Sequence, residues 1–253
     1  MARSWLIFSG KGGTGKSLIC AALGKALAEG GHSVCLWDGD TGLRSLDLLL
    51  GLQDQVVTDA GDVLSGRCQP REALLSPAGC DGLRLLPASQ SMGNTPNPAA
   101  LQKLSGALKQ LADCVLLDAP AGLGEGVRRL LPAADESLLV LTPEETALRD
   151  GEAALSFLEK EKRPRPYLLI NRYSPRARLT PAQMVARLDI PLLGCIPEDE
   201  NLPGALLDSE KLSTREEPGC RAICRVAGRF LGETIPMPDF TDSRLWKGGT
   251  FHR

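Results

Sequence analysis

Hydrophobic residues in this chain gather into short, nearly continuous runs instead of alternating with polar ones, Arg84 being the one charge inside them. Trp5–Phe8, Val34–Trp37, Leu83–Leu86, Cys114–Leu117, Leu138–Leu141, Tyr167–Ile170 and Leu192–Ile196 are such runs, each of strand length. Continuous apolarity means burial on both faces, the pattern of a mostly parallel sheet covered by helices on each side. The segments between them have helical spacing. Ser17–Glu29 is almost wholly apolar apart from Lys25 and Glu29 and stops at Gly30-Gly31, which predicts a buried helix ended by glycine. Pro98–Ala112, Glu145–Lys162 and Thr180–Leu188 also read as helices, with Thr180-Pro181 as an N-cap followed by proline at the first helical position. A last helix is predicted over Gly219–Leu231, with Cys220, Ile223, Cys224, Ala227 and Phe230 on one stripe and Arg221, Arg225 and Arg229 on another face. The predicted fold class is therefore α/β, a doubly wound, mostly parallel sheet with helices on both faces. After Gly232 the sequence Ile235-Pro236-Met237-Pro238 breaks regular structure, so residues 1–235 are expected to form one domain and 236–253 an appended tail.

The turn between the first run and the first helix carries chemistry. Ser9-Gly10-Lys11-Gly12-Gly13-Thr14-Gly15-Lys16-Ser17 fits the phosphate-binding pattern Gly-x4-Gly-Lys-Ser, and it stands where that loop must stand, after a buried strand and before a helix. Glycines at 10, 12, 13 and 15 let backbone N–H groups turn inward onto phosphate oxygens at a helix N-terminus. Lys16 is expected to bridge the β- and γ-phosphates, and the Ser17 hydroxyl to be a Mg²⁺ ligand. An ordinary loop of this kind needs one lysine; this one has a second, Lys11. These residues make a P-loop NTPase using Mg²⁺ with ATP or ADP the expected activity.

Carboxylates end two of the later strands. Asp38-Gly39-Asp40 follows Val34–Trp37, and Asp118-Ala119-Pro120-Ala121-Gly122 follows Cys114–Leu117. In a doubly wound sheet the carboxyl ends of strands beside the phosphate loop face the ligand crevice, so Asp38 and Asp40 should point toward the γ-phosphate and metal-bound water. Asp118 is expected on the metal side, partnering Ser17.

Charge and composition narrow the rest. With 29 basic and 31 acidic residues the net charge is -2, so no global field recruits nucleic acid. The 8 cysteines are scattered and imply a reducing compartment; Cys220 and Cys224 are spaced to hold a metal, but core packing explains them more simply. No signal peptide and no membrane-length apolar run is visible, so a cytoplasmic location is expected.

Together these segments resemble one family. Ser-Gly-Lys-Gly-Gly-x-Gly-Lys-Ser, Asp-x-Asp-x-Gly-Leu-Arg-x-Leu-Asp, Leu-Leu-Asp-Ala-Pro-Ala-Gly, Thr-Pro-Glu-x5-Asp, Ile-Asn-Arg-Tyr and Ile-Pro-Glu-Asp run in register over most of residues 3–235 with the septum-site-determining MinD proteins of the deviant Walker A class. The resemblance implies an ATP hydrolase whose activity is coupled to dimerisation. Lys11 would be the signature lysine that reaches the partner's phosphates, and Glu144 and Asp150 acids that pair with it in different nucleotide states. Asn171 would read the adenine, with Pro197, Glu198 and Asp199 bordering the base; strand-end capping is the simpler alternative for Asn171. The family also implies an ATP-bound homodimer, division-site regulators of the MinC and MinE kind, and contact with an anionic membrane surface. Two departures stand out. Ser17-Leu18 replaces a pair of threonines, which keeps the metal hydroxyl but puts Leu18 near the α-phosphate. The tail carries Arg244, Leu245, Trp246, Lys247 and Phe251, yet Gly248-Gly249 interrupts any amphipathic helix, leaving a weak membrane anchor and a disordered tail as open readings. A DNA-partitioning ATPase relying on Arg221, Arg225 and Arg229 and a flagellar-number positioning ATPase are the alternatives.

Overall fold

Every one of the apolar runs is a strand: β1 (Arg3–Phe8), β2 (Val34–Asp38), β3 (Leu83–Leu86), β4 (Cys114–Asp118), β5 (Glu136–Leu141), β6 (Tyr167–Tyr173) and β7 (Leu192–Pro197). The structure, a computed structural model, describes residues 2–90 and 96–238; the tail residues 239–253 lie outside the described residues. The strands form one 7-stranded sheet in the order β3-β2-β4-β1-β5-β6-β7, parallel at each pairing.

Side chains alternate across the sheet and so feed two cores. In β1, Leu6 and Phe8 join the core on one face while Trp5 and Ile7 join that on the other. The first core is covered by α3 (Ala60–Leu64), α4 (Pro98–Leu108), α5 (Glu125–Leu130), α6 (Glu145–Lys160) and α7 (Pro181–Leu188), through residues such as Leu104, Val127, Leu148 and Met184, while α2 (Leu46–Leu49) adds Leu46 to the other core. The second is covered by α1 (Lys16–Glu29), α8 (Leu202–Leu207) and α9 (Pro218–Phe230), through Ile19, Leu23, Leu206 and Ile223. Trp5 ties sheet to helix on that face, with its ring centroid 5.4 Å from Tyr167 and 4.4 Å from Phe230.

Helix α1 is enclosed on nearly every side, which accounts for its apolar composition. Its lone mid-helix charge, Lys25, is also buried and donates to the carbonyls of Ala205 at 2.9 Å and Asp208 at 2.7 Å, at the end of α8. A cation at the C-terminus of a helix satisfies carbonyls that have no intrahelical partner. Burial nevertheless pulls its pKa below the usual lysine value. The cysteines are free and mostly buried. Burial pushes the thiols of Cys35 and Cys114 up to about 12, so they behave as small hydrophobes.

Two expectations change. Helix α4 ends at Leu108, four residues before Ala112, because Gln110 and Leu111 already donate to Ala107 and Leu108 in tighter turns. Arg229 does not stand free beside Arg221 and Arg225. Its guanidinium donates to the carbonyls of Leu193 at 3.1 Å, Ile235 at 2.8 Å and Pro236 at 2.9 Å, so it fastens the chain after α9 to β7.

Candidate active site

The sheet order places the site. The chain leaves β1 through α1 to β2 on one side, then continues from β4 to β5 across β1, so the loops after β1 and β4 part and leave a crevice at their carboxyl ends. The phosphate-binding loop fills that position. Its glycines serve distinct purposes. Gly13 (φ 81°) and Gly15 (φ 82°) are left-handed. A Cβ on Gly13 would meet nothing within 4 Å, so the loop opens there. One on Gly15 would lie 2.4 Å from Asn171 Nδ2, and one on Gly10 would lie 2.6 Å from the Asp150 Cβ of α6. Gly12 and Thr14 complete the turn, with the Ser9 hydroxyl donating to the Lys11 carbonyl at 2.7 Å. Leu18 is half-buried against the α1-side core.

Lys16 and Asp118 form the centre. Lys16 Nζ donates to Asp118 Oδ1 at 2.6 Å and to Ser17 Oγ at 3.3 Å. Lys16 is 8% exposed and Asp118 0%. Burial raises the Asp118 pKa, and the Lys16 ammonium opposes that shift. Asp118 Oδ2 is buried with no hydrogen-bond partner. A buried carboxylate oxygen left without a partner is costly. Beside the Ser17 hydroxyl it is the hard oxygen donor that Mg²⁺ and its waters favour, so these residues fit a Mg-nucleotide.

Asp38 and Asp40 lie near enough to Asp118 to feel its charge, but both Asp38 oxygens and one Asp40 oxygen are engaged within their own loop. Asp38 Oδ1 accepts from Asp40 N at 3.0 Å and Oδ2 from Leu46 N at 3.2 Å, leaving the side chain buried. Burial, with the Asp118 charge adding to it, pushes Asp38 up to about 7. Asp40 Oδ1 accepts from Gly42 N at 3.1 Å and Leu43 N at 3.3 Å. The expectation that both carboxylates face the phosphates thus meets an arrangement in which they shape the loop. Gly39, between them, holds this loop to β4. Its N–H donates to the Asp118 carbonyl at 2.9 Å, and a Cβ there would come within 2.8 Å of that oxygen. Because backbone cannot yield as a side-chain end can, Gly39→Ala is expected to lower stability by about 1–3 kcal/mol in urea unfolding. An unchanged midpoint would mean the loop moves off β4 without cost.

Lys11 is turned away from its own loop. Its Nζ donates to Thr146 Oγ1 at 3.0 Å and lies 3.6 Å from Glu144 Oε2 and 3.9 Å from Asp150 Oδ2. Glu144 is the N-cap position of α6, and Asp150 follows along that helix. The two acids singled out in the sequence thus meet Lys11; Thr146 was not singled out, and only its placement in the first turn of α6 brings it there. The ion pairs are long and partly exposed, and a cation beside a helix N-terminus opposes the helix dipole, so the lysine is weakly held.

A cleft of about 730 Å³ runs from Lys11–Thr14 past Thr142–Thr146 to Arg172, Ser174, Arg176–Arg178 and Glu198. Asn171 is buried behind it, its amide donating to the Thr14 carbonyl at 2.8 Å, so in this structure it braces the phosphate loop. Pro197 is buried at the end of β7, and Glu198 is exposed in the cleft. The Asp199 oxygens accept from Asn201 N at 2.9 Å and from Gly219 N, in the first turn of α9, at 2.8 Å. Arg176 and Arg178 join Arg172 of the Ile-Asn-Arg-Tyr motif along this cleft; three arginines within seven residues at the end of a strand are their signal in the sequence.

Residues 5–236 match the CobQ/CobB/MinD/ParA nucleotide binding domain. The septum site-determining protein MinD of Synechocystis sp. is 37% identical over 252 residues, covering 95% of this chain and 93% of that protein. The MinD protein of Bacillus subtilis is 36% identical over 248 residues, covering 94% and 92%. Among solved structures, a MinC:MinD cell division protein complex from Aquifex aeolicus matches with a TM-score of 0.86 at 32% identity, covering 94% of this chain and 99% of that one. MinD complexed with Mg-ADP from Pyrococcus horikoshii matches at 0.80 and 29% identity, covering 93% and 100%. With the phosphate loop, its buried Lys16–Asp118 pair and this extent of similarity, the chain belongs to the septum site-determining MinD proteins of the CobQ/CobB/MinD/ParA family.

Proposed function

We propose that this chain is a Mg-ATP-dependent dimerising switch that takes part in placing the division septum. The reaction is hydrolysis of ATP to ADP and phosphate. The observation that carries the switch is Lys11, a phosphate-loop lysine held loosely on Glu144, Thr146 and Asp150. A charge so weakly restrained can leave for a phosphate presented by a second copy, where it would stabilise negative charge building up in the transition state.

Bound Mg-ATP would supply an electrophilic γ-phosphoryl group. The loop Gly10–Ser17 would hold its phosphates, and the Ser17 hydroxyl and the unpartnered oxygen of Asp118 would lie on the metal side. Lys16 would exchange part of its contact with Asp118 for phosphate oxygens. Asp40, in the loop held against the end of β4, would orient the attacking water, and Asp38 would keep that loop folded. Asn171 would act through the Thr14 carbonyl it holds, and Glu198 would border the base.

The partners implied are a second copy of the chain, a MinC-like regulator with an activator of hydrolysis, and an anionic membrane surface reached by residues 236–253 appended to the ATPase body 1–235. Among the described residues no helix is long and apolar enough to cross a membrane, which suits a cytoplasmic protein that binds the membrane peripherally. Riding on DNA has less support, since Arg229 is committed to backbone carbonyls.

Asp40→Ala tests the reading. With Mg-ATP this variant is expected to persist as a dimer in size exclusion and to sediment with anionic vesicles, while wild type cycles back to monomer. Hydrolysis at the wild-type rate by the variant would remove Asp40 from its role, and no ATP-dependent sedimentation by either protein would remove the membrane step.

A further inference from the structure

The phosphate loop follows β1, yet it is held by β6, a strand that does not adjoin β1. Strand β6 pairs with β5 as far as Ile170 and with β7 again at Tyr173, and its register on β7 shifts between those two residues. Such an irregularity re-aims the side chains inside it. Here it leaves Arg172 exposed with φ 55° and buries Asn171, 3% exposed, behind the residues that line the cleft. The Asn171 amide donates to the Thr14 carbonyl at 2.8 Å, across 157 residues of sequence.

That bond fixes a peptide plane. The Thr14–Gly15 peptide is trans, so its C=O and N–H point in opposite directions. Holding the carbonyl toward Asn171 therefore turns the Gly15 N–H the other way, at the start of α1 where an anion is bound. The plane has little else to steady it. The Thr14 hydroxyl is buried with no hydrogen-bond partner, so it gives the loop no anchor. Gly15 has φ 82° and ψ 20°, and glycine leaves such a conformation as readily as it enters it. A Cβ at Gly15 would lie 2.4 Å from Asn171 Nδ2, so the brace stands where it does only because residue 15 is glycine.

We propose that Asn171 is a positioning residue for phosphate binding: by holding the Thr14 carbonyl it aims the Gly15 N–H at the phosphate chain, and so sets affinity for a polyphosphate irrespective of the base attached. This role rests on nucleotide binding by the loop and needs no second copy. It differs from reading the adenine, in which the amide would contact the base and a ligand without a base would be unaffected.

Asn171→Ala and Asn171→Leu test it. Both remove the donor, and the second keeps the size of the side chain without adding charge. Each full-length variant is titrated beside wild type, by calorimetry with Mg²⁺, against ATP, GTP and inorganic tripolyphosphate. Wild-type binding of ATP in the same series checks the nucleotide reading separately, so the variants test Asn171 alone. The dissociation constants are expected to rise roughly three- to tenfold for all three ligands, as for the loss of one hydrogen bond, with the ratio of ATP to GTP affinity within about twofold of wild type. Amide hydrogen exchange of the nucleotide-free variants gives a second readout: the segment Gly10–Ser17 should exchange faster while the strands keep wild-type protection. Weakened binding of ATP alone, with GTP and tripolyphosphate held as by wild type, would assign Asn171 to the base and overturn the inference. Unchanged affinity for all three would overturn it as well. Faster exchange throughout the strands would assign Asn171 to the fold at large, with the same consequence.

Discussion

Asp118→Ala is expected to destabilise the nucleotide-free protein by about 3–5 kcal/mol, the cost of leaving a buried charge without its partner. Lys16 is 8% exposed and its ammonium has a carboxylate oxygen at 2.6 Å; without Asp118 it keeps the Ser17 hydroxyl at 3.3 Å, which carries no charge to offset it. The double variant Lys16→Met with Asp118→Leu removes both charges and should recover most of that loss, since a buried ion pair replaced by apolar groups is often neutral or better. Thermal and urea unfolding of the two single variants and the double variant would give the coupling directly. A coupling near zero would mean that Lys16 finds another partner in the free loop. Asp118→Ala should also abolish measurable ATP turnover, and unfolding data at the assay temperature distinguish lost chemistry from lost fold.

Lys11→Ala is expected to behave in the opposite way. Its ion pairs are long, partly exposed and set against the α6 dipole, and its one short contact is to a neutral hydroxyl, so stability should change by less than about 1 kcal/mol. Activator-stimulated or self-stimulated ATP turnover should fall on the order of 10³-fold, as for the loss of a cationic group supplied in trans to a phosphoryl transfer. The ATP-analogue dimer should be lost as well. Turnover at the wild-type level with the dimer intact would show that Lys11 remains on Glu144 and Thr146 throughout, and the switch would need another element. The pair of variants therefore separates two lysines of one loop: Lys16 is coupled to folding through Asp118, and Lys11 is not.

Much of this was legible in the sequence because strand and phosphate-loop signals are local. The range of β3 matches its apolar run residue for residue. Strands β1 and β5 begin earlier than their runs because Arg3 and Glu136 extend the sheet and meet in a 2.5 Å ion pair, and β6 runs on through Asn171 and Arg172 to Tyr173, whose pairing with Pro197 continues beyond the apolar stretch. The short helices α5 and α8, like Leu46–Leu49 and Ala60–Leu64, span four to six residues, too few for a helical period to register. Gly39 reads as a turn residue in the sequence; only the approach of the Asp118 carbonyl gives its missing Cβ a purpose.

By itself the sequence determined the alternation of buried strands and covering helices, the phosphate loop and its second lysine, and the carboxylates that end β2 and β4. Each follows from periodicity or from a spacing of a few residues. The tertiary structure decided the pairings. By inserting β4 between β1 and β2 it set Asp118 against Lys16, 102 residues away, and by laying β5 on the other side of β1 it brought the first turn of α6 to Lys11, 135 residues from Thr146. It also turned Asp38 and Asn171 inward, as braces for the loops on which the chemistry depends. Strand order and side-chain direction arise from how helices and sheet share one core, and no local pattern records that competition.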